Sequence, residues 1–194
     1  GHNDVLSCEI VLAGSHLVTD CGAFVYTSSY SARNSFRSTT SHNAPQVDHQ
    51  ELNRFVHPHE LWMLHDDARP RIHTYKPGSE QDILSISHSG YLRLSHPVLP
   101  VRTFTLDHKD HSLTICDTFQ GDGAHKVQIP YHLPPNVTIS RTNGRTYLDT
   151  RGARFEVQVL GDTRWIMNVE QARVSMSYGV YAPASRLIWT REGP

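Results

Sequence analysis

Cysteine is scarce in this chain: Cys8, Cys21 and Cys116 are the three found in 194 residues. So low and odd a count argues against a disulfide framework, although one pair could bridge in an oxidising compartment. Cys8 and Cys116 lie in apolar, strand-like runs and read as small buried hydrophobes. An excess of charge is also missing, since 18 Lys and Arg face 19 Asp and Glu for a formal net charge of -1. The basic residues are spread out, whereas a phosphate-binding surface needs them clustered, so nucleic acid is excluded as a partner. No apolar run approaches the ~20 residues of a membrane span. No signal peptide is visible, and a trimmed chain would not show one. Helical periodicity is nearly absent, the best candidate being a short turn of helix over 29–36.

Strand signals fill the space that helix leaves. Apolar residues make up 38% of the chain and charged residues 19%, enough for one core and too little charge for disorder. In the run 5–12, Leu6, Cys8, Ile10 and Leu12 face one way. Runs 98–106 and 113–119 flank a hairpin tip at Asp107–His111, and 76–82 reads as a loop. Further strands are expected at 126–132, 136–140, 145–149, 153–160, 164–169, 172–177 and 185–191. Turn residues separate them, and Asn143-Gly144 is a strong two-residue hairpin signal. Many strands at such spacing predict an all-β fold, a large antiparallel β-sandwich with little helix, in one domain over 1–194.

Histidine is plentiful, with 14 in the chain, but most sit in polar stretches or turns and carry no signal of their own. Three segments stand out because each places a metal-capable residue at a strand boundary. His2 precedes the first strand, Asp20 ends the second at a Cys-Gly turn, and His42 follows a Ser/Thr-rich loop. Two imidazoles and a carboxylate suit zinc, with a fourth position left for water or another ligand. The spacing is not that of a local metal motif, and ordinary turn residues are the alternative.

These segments carry a resemblance. His2-Asn3-Asp4-Val5-Leu6-Ser7-Cys8, Asp20-Cys21-Gly22-Ala23-Phe24 and Phe36-Arg37-Ser38-Thr39-Thr40-Ser41-His42-Asn43 follow one another as in the C-terminal domain of heparinase II/III-like polysaccharide lyases. Tyr131-His132-Leu133-Pro134-Pro135 and the segment 178–183 fit more loosely. The resemblance implies a supersandwich-like β fold and one structural Zn2+ on His2, Asp20 and His42. It implies β-elimination at a uronic acid residue of an acidic polysaccharide, with a helical toroid domain upstream supplying a tyrosine. A histidine would fall one position before Gly1, so the chain is expected to be an inactive piece of a larger protein holding no catalytic residue of its own. A bacterial periplasmic or extracellular location follows by the same resemblance. The family also occurs in polysaccharide biosynthesis and export, so a non-catalytic carbohydrate-binding or structural domain is the alternative.

The chain departs from the family pattern in having Cys8 for an aromatic, Cys21 for a proline and Ala23-Phe24 for Thr-Tyr. Cys21 is either a fourth soft ligand or a buried thiol. Arg37 is a candidate for a substrate carboxylate or sulfate, because its planar fork pairs with such anions; a loop-fixing contact is the alternative. Asn3 and Asn43, beside the proposed ligands, are candidates for substrate binding or for orienting those ligands. Tyr26, Tyr30 and Trp62 could stack on sugar rings or simply pack. Trp165 and Trp189 read as core.

Overall fold

A period of two in side-chain burial, the mark of a half-buried strand, organises most of the molecule. The computed structural model describes residues 1–193. A short hairpin of β1 (Ile10–Leu12) and β2 (Ser15–Val18) comes first, followed by helix α1 (Tyr30–Arg37) and a 3-10 turn at Thr39–Ser41. After β3 (Gln46–Val47), four strands form an antiparallel meander: β4 (Pro70–Lys76), β5 (Gln81–His88), β6 (Val98–Asp107) and β7 (Ser112–Gly121). Next come β8 (His125–His132) and a three-stranded sheet of β9 (Thr138–Thr142), β10 (Arg145–Thr150) and β11 (Ala153–Val157). Two long strands, β12 (Ile166–Ser177) and β13 (Val180–Gly193), pair with each other, and β13 pairs with β8, giving a sheet in the order β12-β13-β8-β3.

Two apolar clusters hold these layers together. Val98 of the meander meets Val47, Val127 and Ile129 of the β8 sheet in the first. Leu17, Val18 and Leu148 meet Leu187 of β13 in the second. Tyr131 and Trp189 pack against both clusters, edge to face with ring centroids 5.4 Å apart. The architecture is therefore the expected antiparallel β-sandwich, with one α-helix among the described residues.

Local signals translate directly at several points. Ser29 caps α1, its hydroxyl accepting from Ala32 N. Asn143 and Gly144 both have positive φ, 52° and 76°, as a two-residue hairpin between β9 and β10 requires. Other expectations need correction. Only Ile10–Leu12 of the run 5–12 is strand, because Leu6 takes φ 69° and the chain turns there. The runs 164–169 and 172–177 merge into the single strand β12. Cys116 is exposed, since β7 is an edge strand and the residue faces outward. Cys8 is half-buried. The hairpin of β4 and β5 was not expected, and of the loop expected at 76–82 only 77–80 is its tip, the rest being strand; every residue of β4 is exposed, so no burial period marks it.

Candidate functional site

The second expected segment is a loop pressed against the backbone of β12. Cys21 O accepts from Ser175 N at 2.8 Å. Gly22 has φ 78°, and a Cβ there would lie 2.0 Å from Ser175 O, so only glycine allows this approach. The loop presents Asp20, whose Oδ2 accepts from Gly22 N at 2.8 Å and whose Oδ1 meets His42 Nδ1 at 2.6 Å. Burial alone would raise the Asp20 pKa, but hydrogen bonds from His42 and the Gly22 amide hold it below its ordinary value. The ionised carboxylate can only accept, so His42 Nδ1 is the donor. His42 is fully buried, and its Nε2 has no hydrogen-bond partner.

His42 is held from below by Asn43, which is also fully buried. Asn43 Nδ2 donates to Cys8 O and Thr19 O at 2.9 and 2.8 Å, and its Oδ1 accepts from His132 N and Nδ1 at 2.8 and 3.0 Å. Asn43 O accepts from Arg102 Nη1 at 2.6 Å, and the same guanidinium reaches Leu6 O at 2.8 Å. Arg102 forks onto Asp117 at 2.7 and 2.8 Å, so the meander grips the site loops through one buried ion pair. Burial would lower the Arg102 pKa, and Asp117 more than offsets it.

The Phe-Arg-Ser-Thr string serves the same purpose. Arg37 is fully buried and gives its guanidinium to Asn34 Oδ1, Met63 O and Glu60 O at 2.9, 3.2 and 2.8 Å. Ser38 Oγ, Thr39 N and Thr39 Oγ1 all donate to the Glu51 carboxylate. Asn3, likewise fully buried, donates to Glu51 Oε2 at 2.7 Å and Asn53 O at 2.9 Å. Asn3, Arg37 and Asn43 thus lie beneath the surface with their polar atoms engaged, the geometry of loop-holding residues.

His2 lies beside His42, ring centroids 5.2 Å apart. Its Nε2 accepts from Arg33 Nη1 at 2.5 Å. Burial, then the charges of His42 and Arg33, push its pKa down to about 4, so it is neutral at ordinary pH. Arg33 is 3% exposed, with Tyr26 and Trp62 rings 5.3 and 5.5 Å from its guanidinium carbon. Tyr26 in turn contacts Tyr178, and Tyr26, Trp62 and Tyr178 are all exposed. Trp165 and Trp189 are half-buried against the core as expected. Arg33 was missed in the sequence. Its one signal was the i,i+4 spacing from Arg37 on a short helix, a like-charge pair that costs stability unless each cation has its own use.

The family resemblance implies a zinc ion, and the donor set fits one. Single donor atoms of Asp20, Cys21 and His42 lie within 4.8 Å of one another. The orphaned Nε2 of buried His42 adds a free donor. Cys21 is 1% exposed, its Sγ 4.0 Å from His42 Nδ1 and bonded to Phe36 O. Burial, reinforced by Asp20, raises its thiol pKa. His2 is adjacent but stands outside this group, its accepting nitrogen turned to Arg33.

Residues 1–192 match the family model described as heparinase II/III-like, C-terminal, and the chain belongs to that family. Solved structures share the fold. The heparan sulfate lyase HepC of Pedobacter heparinus is 20% identical with a TM-score of 0.78 over 99% of this chain. A heparinase III structure is 18% identical with a TM-score of 0.79 over 99% of this chain. This chain spans 28% of the length of each of those two proteins. A comparison with curated proteins returns no match. No helix among the described residues is long and apolar enough to cross a membrane.

Proposed function

We propose that this domain forms one wall of the substrate cleft of a polysaccharide lyase acting on a uronic-acid-containing acidic glycan. Family membership supports the reading. The observation that carries it is the meeting of three separated motifs at the edge of an exposed aromatic surface, Asp20 hydrogen-bonded to His42 and the His2 ring packed against His42. In β-elimination a base takes the proton beside the uronate carboxylate, the carbon–oxygen bond on the neighbouring carbon breaks, and an acid protonates the departing oxygen. Cationic groups are needed where the enolate-like charge develops. No residue of this chain is assigned as base or acid; an upstream helical toroid domain and its tyrosine are the proposed partners.

Asp20 and His42 would hold a structural zinc ion, with Cys21 in reach as a further ligand; His2, the third residue that the resemblance implies, would join them only by giving up its hydrogen bond from Arg33. Bound there, zinc would pin loop ends together, so that binding energy becomes folding energy. Asn3, Arg37 and Asn43 act through the positions of these loops. The proposed location is the periplasm or cell exterior.

A second reading, a non-catalytic carbohydrate-binding domain of a biosynthesis or export protein, is favoured by the exposure of Tyr26, Trp62 and Tyr178. One experiment separates the two: the natural gene product containing this domain is incubated with uronate glycans, and conjugated unsaturated uronate ends are followed by ultraviolet absorbance. Their formation supports the lyase. Binding that survives chelation, with no unsaturated ends, supports the second reading.

A further inference from the structure

Arg33 is a buried cation without an anion. Among the described residues no carboxylate pairs with it, its Nε is buried with no hydrogen-bond partner, and the side chain that its Nη1 meets is an imidazole, His2, and not a carboxylate. Burying a guanidinium without a counter-charge is strongly unfavourable, because the lost hydration is not replaced. The other arginines of comparable burial behave differently: Arg102 has Asp117, and Arg37 has two carbonyls and an amide oxygen. What covers Arg33 is aromatic, the faces of Tyr26 and Trp62. Cation–π contact recovers part of the cost and still leaves the positive charge unneutralised.

The covering rings are themselves out of place for packing. Trp62 is 53% exposed and Tyr178 61% exposed, and the two flank Tyr26 at 5.4 and 5.3 Å. Beside them lies a hollow of about 210 Å³ bordered by Tyr26, Tyr178, Ala23, Phe24 and Ser175. Contiguous exposed aromatics around a hollow offer flat apolar faces to a ring-shaped ligand, with polar edges left free.

We propose that Arg33, Tyr26, Trp62 and Tyr178 form a subsite for one acidic sugar residue, its anionic group drawn to Arg33 and its ring face stacked on Trp62 or Tyr26. The class of ligand rests on the acidic-glycan reading above. Arg33 recognises the anion, the aromatic rings recognise the sugar, and His2 ties the subsite to the Asp20–His42 cluster.

The test uses this chain, with the Trp62 indole N–H resonance as the reporter. The probe is an unsulfated oligosaccharide of alternating glucuronate and N-acetylglucosamine; the controls are the same oligosaccharide with its carboxylates reduced to alcohols, and inorganic sulfate. The expected result is a saturable shift with the acidic oligosaccharide, weakened at least ~10-fold by Arg33→Gln and by Trp62→Ala, and lost on carboxylate reduction. Because Arg33→Gln could disturb folding through His2, Trp62→Ala, at an exposed position, serves as the second variant, its binding read by calorimetry. Sulfate shifting the resonance as strongly as the oligosaccharide would overturn the sugar half of the proposal. Equal binding by the reduced oligosaccharide, unaltered binding by both variants, or no binding by the wild type would overturn the subsite. Specific binding in a protein that yields no unsaturated product would leave the subsite standing and remove the lyase reading. In the natural gene product containing this domain, unsaturated product with an unchanged KM in Arg33→Gln would do the reverse.

Discussion

Replacing Arg102 with methionine tests how the sandwich holds its site. Arg102 is fully buried, and Asp117 keeps 9% of its side chain exposed. Removing one partner of a buried ion pair costs ~3–5 kcal/mol, because the other charge is left uncompensated. The carbonyls of Leu6 and Asn43 also lose their donor, and each buried unsatisfied group adds ~1 kcal/mol or more. A loss of roughly 5–7 kcal/mol follows, much of the 5–15 kcal/mol that stabilises a typical domain. For a chain of this length it corresponds to a fall in Tm of roughly 10–30 °C. Urea denaturation followed by circular dichroism, with calorimetry alongside, measures both. Arg102→Met combined with Asp117→Leu should recover much of the loss, since the uncompensated charge is gone. A single Arg102→Met variant within ~1 kcal/mol of wild type would refute the reasoning.

Other predictions follow from particular groups. His88 is fully buried, its Nδ1 accepting from Gly90 N at 3.0 Å and its Nε2 without a partner. Burial, then the charge of Arg93, lowers its pKa from 6.5 to about 4. The unfolded chain therefore takes up the proton first: stability is full above pH 6.5 and falls toward pH 4, by about 3 kcal/mol from this residue. Denaturation midpoints at stepped pH should show that slope, and His88→Gln should flatten it. Gly22→Ala should lower stability by several kcal/mol, because the new Cβ meets Ser175 O at φ 78°; a near-neutral result in thermal unfolding would contradict the close approach of loop and strand. Cobalt substituted for zinc should show a sulfur-to-metal charge-transfer band if Cys21 is a ligand, absent in Cys21→Ala. A cobalt site with an identical spectrum in both would confine Cys21 to packing.

The sandwich was legible because alternation and turn chemistry are local. Asn143-Gly144 fixes a hairpin by backbone geometry alone, and β6 and β7 run almost as their apolar pattern dictates. The β4 strand was hidden because exposure on both faces leaves no period to detect. Within the site, the pairing of Asp20 with His42 follows motif order, and the structure places them 2.6 Å apart. The depth of Arg37, Asn3 and Asn43 was not legible, since burial of a polar residue depends on distant partners such as Glu51 and Arg102. Arg33 offered only its i,i+4 spacing from Arg37: its isolation from carboxylates among the described residues is a fact of three-dimensional neighbours, which spacing does not encode.

The central claim is that this domain serves β-elimination on an acidic glycan. The most direct test is to express the natural gene product containing it, supply zinc, and incubate it with glucuronate- and iduronate-containing polysaccharides while recording ultraviolet absorbance and product mass. The expected result is shortened chains carrying a conjugated unsaturated uronate at the new non-reducing end, with activity reduced by Asp20→Ala and His42→Ala. Chains shortened with no unsaturated end, or no cleavage of any uronate glycan by a folded, metal-loaded protein, would contradict it.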